Sequence, residues 1–140
     1  MADRVIEDLE ENECLKLIAG GGIGRIAYTS RFGPAVLPVN YAWSEGAVVF
    51  RTAADSPLDQ DLRTGISNAD YKVAFEIDEI DLAAGRGWSV LVQGPAHHAH
   101  GAELDAARGA GVEPWAPGER ELFIQIVPSR ITGRRVGPAR

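Results

Sequence analysis

Arg51, Thr52 and Ser56 are the side chains of this sequence best suited to holding an anion. An arginine offers a planar fork of N–H donors that fits phosphate or carboxylate, and hydroxyls add further donors. The three lie in the run Val48-Val49-Phe50-Arg51-Thr52-Ala53-Ala54-Asp55-Ser56-Pro57-Leu58. Its apolar start reads as a buried strand that ends at the arginine and opens into a helix. Ser56 suits the N-cap, Pro57 the first helical position, and Asp59 the third position of a capping box. A helix start has unpaired N–H groups and a partial positive charge, so the whole cluster resembles a phosphate site. A plainer reading uses the same residues: Asp55 and Asp59 complement the helix start, and Arg51 pairs with one of them. Local physics favours the plainer reading, because caps and ion pairs are commoner than ligand sites.

Other residues invite chemistry and give it less support. His98 and His100 share a face and, with His97, suggest a metal, but no cysteine is near and a further ligand is needed. A solvated strand end is the expectation there, and no metal site is assigned. The single cysteine, Cys14, sits in an apolar helical pattern and reads as a core residue. Trp115, between Pro114 and Pro117, reads as a plug packed on the fold or on a partner. Glu76, Asp78 and Asp81 are expected on a solvated face. No Ser/His/Asp or Cys/His set has defensible spacing, so hydrolase chemistry is unsupported and the catalytic residues are unassigned.

The elements that must position these side chains follow from hydrophobic period and turn chemistry. Asp8 and Glu11 have capping-box spacing ahead of a short helix that Gly20-Gly21-Gly22 ends. Strands follow at 23–29, 35–43 and 47–52, with Pro38 pointing to an edge, a bulge or a strand beside a ligand. The helix from Ser56 ends near Gly65. Strands at 71–77 and 88–96, a helix at 102–110, and a final strand or bent pair at 122–127 and 131–136 complete the chain. Antiparallel pairs with short helices outside describe an α+β protein built on a small barrel.

At 140 residues this is one domain, 1–140, with its core at about 8–136. An apolar fraction of 45% supports a real core, and a net charge of −6 argues against nucleic acid and anionic membrane surfaces as partners. Arg134-Arg135 is too short a basic run to change that. The acidic N-terminus lacks a signal-peptide pattern and no apolar run is long enough to span a membrane, so a cytoplasmic protein is expected.

Six segments, taken in order, resemble a known family: Gly24-Arg25-Ile26-Ala27, Pro38-Val39-Asn40-Tyr41, Val49-Phe50-Arg51-Thr52, Val73-Ala74-Phe75-Glu76-Ile77-Asp78, Gly87-Trp88-Ser89-Val90-Leu91-Val92-Gln93-Gly94 and Ile131-Thr132-Gly133-Arg134-Arg135. The chain resembles the pyridoxamine 5'-phosphate oxidase-like proteins, the FMN-binding split-barrel group, and within it the small single-domain branch common in actinobacteria. The resemblance implies a six-stranded antiparallel split β-barrel with flanking short helices. It also implies a homodimer with FMN at the subunit interface. Arg51, Thr52 and Ser56 would hold the phosphate. Pro38, Val39 and Asn40 would lie along the flavin ring, with Ser89 as a polar contact and Trp88 as a packing one. The implied function is a flavin-dependent oxidoreductase acting on a small molecule. The basic residues common after the serine in this family are replaced here by Pro57 and Leu58. The deazaflavin F420, or a non-catalytic flavin-binding or storage role, is therefore kept as an alternative. True pyridoxamine-phosphate oxidase activity is not expected, because the chain lacks that enzyme's C-terminal Arg-x-His pattern.

Overall fold

The computed structural model describes residues 3–63, 71–115 and 117–138. In chain order the elements are β1 (Arg4–Leu9), α1 (Glu11–Ile18), β2 (Gly22–Ser30), β3 (Gly33–Ser44), β4 (Ala47–Thr52) and α2 (Pro57–Asp61). Then come β5 (Tyr71–Asp81), β6 (Arg86–His98), α3 (Ala102–Gly109), β7 (Leu122–Ile126) and β8 (Arg130–Pro138). All strand pairs are antiparallel. The ring β6–β5–β2–β3–β4–β7 closes on itself, and β8 and β1 extend the sheet from β6. This is the expected six-stranded barrel, with two extra strands.

Alternation along each strand fills the barrel. Val73, Phe75 and Ile77 of β5, Val90 and Val92 of β6, Ile26 of β2, and Val48 and Phe50 of β4 point inward and are buried. Each contributes roughly 1.5–3 kcal/mol of transfer free energy. β4 reads as a continuous apolar run because both of its faces are covered. Val49 faces outward into a second cluster with Ala99, Ala107, Val112 and Phe123, beneath α3.

Turn chemistry agrees with the sequence. Glu45 and Gly46 both have positive φ, 50° and 77°, as a two-residue hairpin between β3 and β4 requires. The expected bent pair at the end of the chain is β7 followed by β8. β7 pairs with Ala96–His98 of β6 and β8 with Gly87–Gln93. The chain passes between them over Gly94, where a Cβ would strike the Val127 carbonyl oxygen.

Three expectations change. β1 was not foreseen, because Arg4–Leu9 is exposed except at Leu9 and carries no inward alternation; backbone pairing with β8 holds it. Asp8 therefore lies in a strand and caps nothing. Glu10 occupies the N-cap of α1 and makes no side-chain cap bond. α2 ends at Asp61, with Leu62 as C-cap, and Gly65 lies outside the described residues. Pro38 takes the edge role: it opposes Arg25 of β2, while β4 pairs with β3 only from Tyr41 onward.

Candidate functional site

The structure divides the expected anion cluster between two faces. Ser56 caps α2 as anticipated: its Oγ accepts from the Asp59 N–H at 3.1 Å, and Pro57 occupies the first turn. Thr52 Oγ1 lies 2.9 Å from Ser56 Oγ, so these two hydroxyls do stand together. Arg51 points the other way, as alternation along β4 demands. Its Nε donates to the Arg120 carbonyl at 2.9 Å and its Nη1 to the Val112 carbonyl at 3.3 Å. The guanidinium lies 5.0 Å from the centroid of the Phe123 ring. The simpler expectation that Arg51 pairs with Asp55 or Asp59 is thus corrected. Arg51 Nη2 has no protein partner among the described residues, and Arg51 lines a hollow of about 230 Å³ with Pro114, Gly118, Glu119, Arg120 and Glu121.

Arg63 and His98 take the place expected of Arg51. Asp59 is fully buried and accepts from Arg63 Nε at 3.1 Å, Arg63 Nη2 at 2.9 Å, the Asp55 N–H at 2.7 Å and His98 Nε2 at 2.6 Å. Burial pushes its pKa up, but these hydrogen bonds and the Arg63 charge outweigh it and lower the pKa to about 2. Asp61 pairs with Arg31 at 3.0 Å. Of the loop carboxylates Asp55, Asp59 and Asp61, the last two are therefore paired with arginines within the chain. His97 and His98 are not a solvated strand end, whereas His100 lies exposed beyond it. β6 runs through His98, whose side chain ties β6 to α2, and His97 Nε2 lies 2.9 Å from Glu103 of α3. Among the described residues no group of three or more His, Cys, Asp or Glu is placed to hold a metal ion.

The remaining candidates lie on the barrel wall. Opposed residues in antiparallel strands put their side chains on one face. Pairing therefore lines up Pro38 (β3), Arg25 (β2), Glu76 (β5), Leu91 (β6) and Thr132 (β8) in one outward row. Asp78, Ser89 and Arg134 form the next. Asn40 faces outward too, and its Oδ1 accepts from the Trp115 N–H at 2.9 Å. Because Tyr41 pairs with Phe50, Asn40 and Arg51 are the next opposed positions, on the same outer side. Val39 and Trp88 belong to the inward set and pack against the barrel core, so on this wall they offer backbone alone. Trp88 also floors a groove of about 950 Å³ with Arg86, Glu79 and Arg135. The expected plug at Trp115 is not packed on the barrel: its side chain stands 79% exposed.

Sequence reasoning missed the charge cluster on this wall. Glu76 and Asp78 are half-buried rather than solvated, and Arg25 Nη1 lies 3.5 Å from a carboxylate oxygen of each. Burial, then the adjacent Asp78, pushes the Glu76 pKa up to about 7, against the opposing charge of Arg25. Their i, i+2 spacing in a strand was the available signal, since it places both acids on one face. Asp81 is exposed and receives the Ala84 N–H in the β5–β6 turn.

The closed six-stranded antiparallel barrel with two extra strands is a split-barrel fold, and solved relatives share that fold. The family model described as pyridoxamine 5'-phosphate oxidase matches residues 10–135, and the chain belongs to that family. It is 30% identical over 133 residues to an uncharacterized protein of Mycobacterium tuberculosis, covering 95% of this chain and 87% of that one. It is also similar to the solved FAD binding protein from Mycobacterium smegmatis, at 31% identity and a TM-score of 0.76, over 92% of this chain and 98% of that one. A FAD-binding protein from Mesorhizobium loti shares the fold at 20% identity and a TM-score of 0.73, over 96% and 99% of the two chains. No helix among the described residues is long and apolar enough to cross a membrane.

Proposed function

We propose that this protein binds a flavin nucleotide, FMN, along the outer wall of the barrel between two copies of the chain. There the flavin serves oxidation or reduction of a small molecule. One observation carries this reading: Arg51 Nη2, the Asn40 amide nitrogen and the Ser89 hydroxyl face the outer side and have no protein partners among the described residues. Ala27 and Ala74, opposed in the same wall, add no bulk that would keep a planar ring from the strands. The donor set fits a flat heterocycle with an anionic tail. The 31% identity to a FAD binding protein over 92% of the chain supports the same class of ligand.

A bound flavin supplies the hydride or electron chemistry. The chain's part is to bind and orient it. Arg51 would meet the phosphate, held in place by its two carbonyl bonds and Phe123. Pro38 and the backbone of Val39 would lie along the ring, and Asn40 and Ser89 would donate to its polar edge. Trp88 packs behind that wall. Thr52 and Ser56 hold each other and cap α2, so their role toward a phosphate is to fix the strand end next to Arg51. The relative's FAD favours a second reading in which the nucleotide is FAD.

Absorbance of the purified protein, release of the cofactor by denaturation, and titration with FMN, FAD, F420 and riboflavin test this. FMN should bind, and Arg51→Ala should weaken FMN by about 1.5–3 kcal/mol, the scale of a charged hydrogen bond. Riboflavin, which lacks the phosphate, should bind the variant and the parent equally. Failure of every flavin to bind overturns the reading. Tighter binding of FAD or F420 replaces FMN, and binding without turnover leaves a carrier rather than an enzyme.

A further inference from the structure

β1 is the terminal strand of the sheet, and among the described residues β8 is its one strand neighbour. Its other edge presents backbone N–H and C=O groups without a strand to receive them. Open edges of this kind are templates for another strand unless the sequence guards them. All of β1 except Leu9 is exposed, including Val5 at 49% and Ile6 at 62%. Arg4, Ile6 and Asp8 share one face, and Val136 of β8 lies beside Ile6 in register.

We propose that β1 is a self-association edge, at which two copies of this chain pair β1 with β1 in an antiparallel two-fold arrangement centred on Ile6. The sequence Arg4-Val5-Ile6-Glu7-Asp8 is complementary to itself in this register alone. Ile6 meets the partner's Ile6, and Arg4 meets the partner's Asp8 twice over, all on one face. On the other face Val5 meets the partner's Glu7. Moving the centre to Glu7 sets Glu7 against the partner's Glu7, and moving it to Val5 sets Asp3 against the partner's Glu7. Like charges directly opposite are unfavourable. The charges that protect this edge from foreign strands therefore select a second copy of the same strand. Arg4 is available for this contact. Its Nε makes a long bond of 3.3 Å to the Gly85 carbonyl, and no hydrogen bond from its terminal nitrogens to the described residues is present.

The pairing uses the free edge of β1 at the margin of the flavin-bearing wall, where Asp8 lies beside Arg134 in the row that holds Ser89, and it does not depend on flavin. Sedimentation equilibrium of the full chain, with matched circular dichroism, tests it. Arg4→Asp and Asp8→Arg should each weaken one association step by about tenfold, because two attractive pairs become repulsive. The double variant, with the charges exchanged, should associate more tightly than Asp8→Arg alone, since both place the same cation beside Arg134 and differ only across the new pair. Rising salt should weaken the parent's step and leave binding of riboflavin, which carries no phosphate, in place. If the single variants associate as the parent does, or the double variant stays as weak as Asp8→Arg while folded, β1 is not the interface. A wall variant such as Leu91→Arg reads the other interface: unchanged flavin affinity and dimerisation in that variant, with an intact Arg4-sensitive step, refutes only the flavin reading, and loss of flavin there with no Arg4-sensitive step in the parent refutes only the edge.

Discussion

Asp59 shows how one side chain takes a role that its neighbours in sequence do not announce. It was legible as a capping residue from its spacing to Ser56, and it does sit beside that cap. Its partners Arg63 and His98 decide the rest, and His98 comes from a distant strand. A carboxylate lowered to about 2 in the fold, against about 3.8 unfolded, contributes stability that is complete above pH 4. That contribution, on the order of 2 kcal/mol, is lost as pH falls from about 4 through about 2. Asp59→Asn should remove most of this acid sensitivity. It should also cost about 1–3 kcal/mol at neutral pH, since a neutral amide cannot accept from Arg63, His98 and the Asp55 N–H as the buried carboxylate does. Urea melts of both proteins between pH 2 and 7 measure this. An unchanged acid limb would mean that other carboxylates govern acid unfolding. Arg51 teaches the same lesson in reverse. Its type was readable, but its partners are backbone carbonyls of the segment before β7, which no local pattern announces.

At the scale of elements, strands with inward alternation were legible and strands without it were not. β5 and β6 show clean periods of two, and their cores were assigned correctly; the ladder then carried each strand further than its apolar residues. β1 has no inward face to reveal, and β8 alone defines it. The crossover from β7 to β8 rests on Gly94. A methyl group at that position would drive into the Val127 carbonyl and force apart the two strands that share β6. Gly94→Ala should therefore destabilise by about 2–3 kcal/mol, at the upper end of overpacking costs. Gly46→Ala, in an open hairpin turn with positive φ, should cost about 1 kcal/mol. Thermal melts rank the two, and equal costs would show that the crossover relaxes freely.

Across the whole molecule, closure of the sheet sorts side chains into an interior and a wall. Pro38, Asn40 and Ser89 reach the wall while Val39 and Trp88 turn inward, although the sequence places them side by side in pairs. Leu91 lies in the same outward row as Pro38, and Ala27 and Ala74 stand in the adjoining one. A subunit interface that carries flavin on this wall predicts that Leu91→Arg lowers dimerisation and flavin affinity together. Light scattering and an FMN titration on the same samples check this. Loss of one property without the other separates the interface from the ligand site.

The sequence by itself determined the barrel class, the inward-facing residues of the central strands, the turn at Glu45-Gly46 and the cap at Ser56. Each follows from interactions between near neighbours, or from burial that the period of apolar residues already encodes. The tertiary structure decided which face each candidate ligand residue occupies, which cations neutralise Asp59 and Asp61, and that a charged N-terminal segment becomes a strand. Those outcomes depend on register between strands far apart in the chain. A shift of one residue in that register would carry a side chain from the wall into the core.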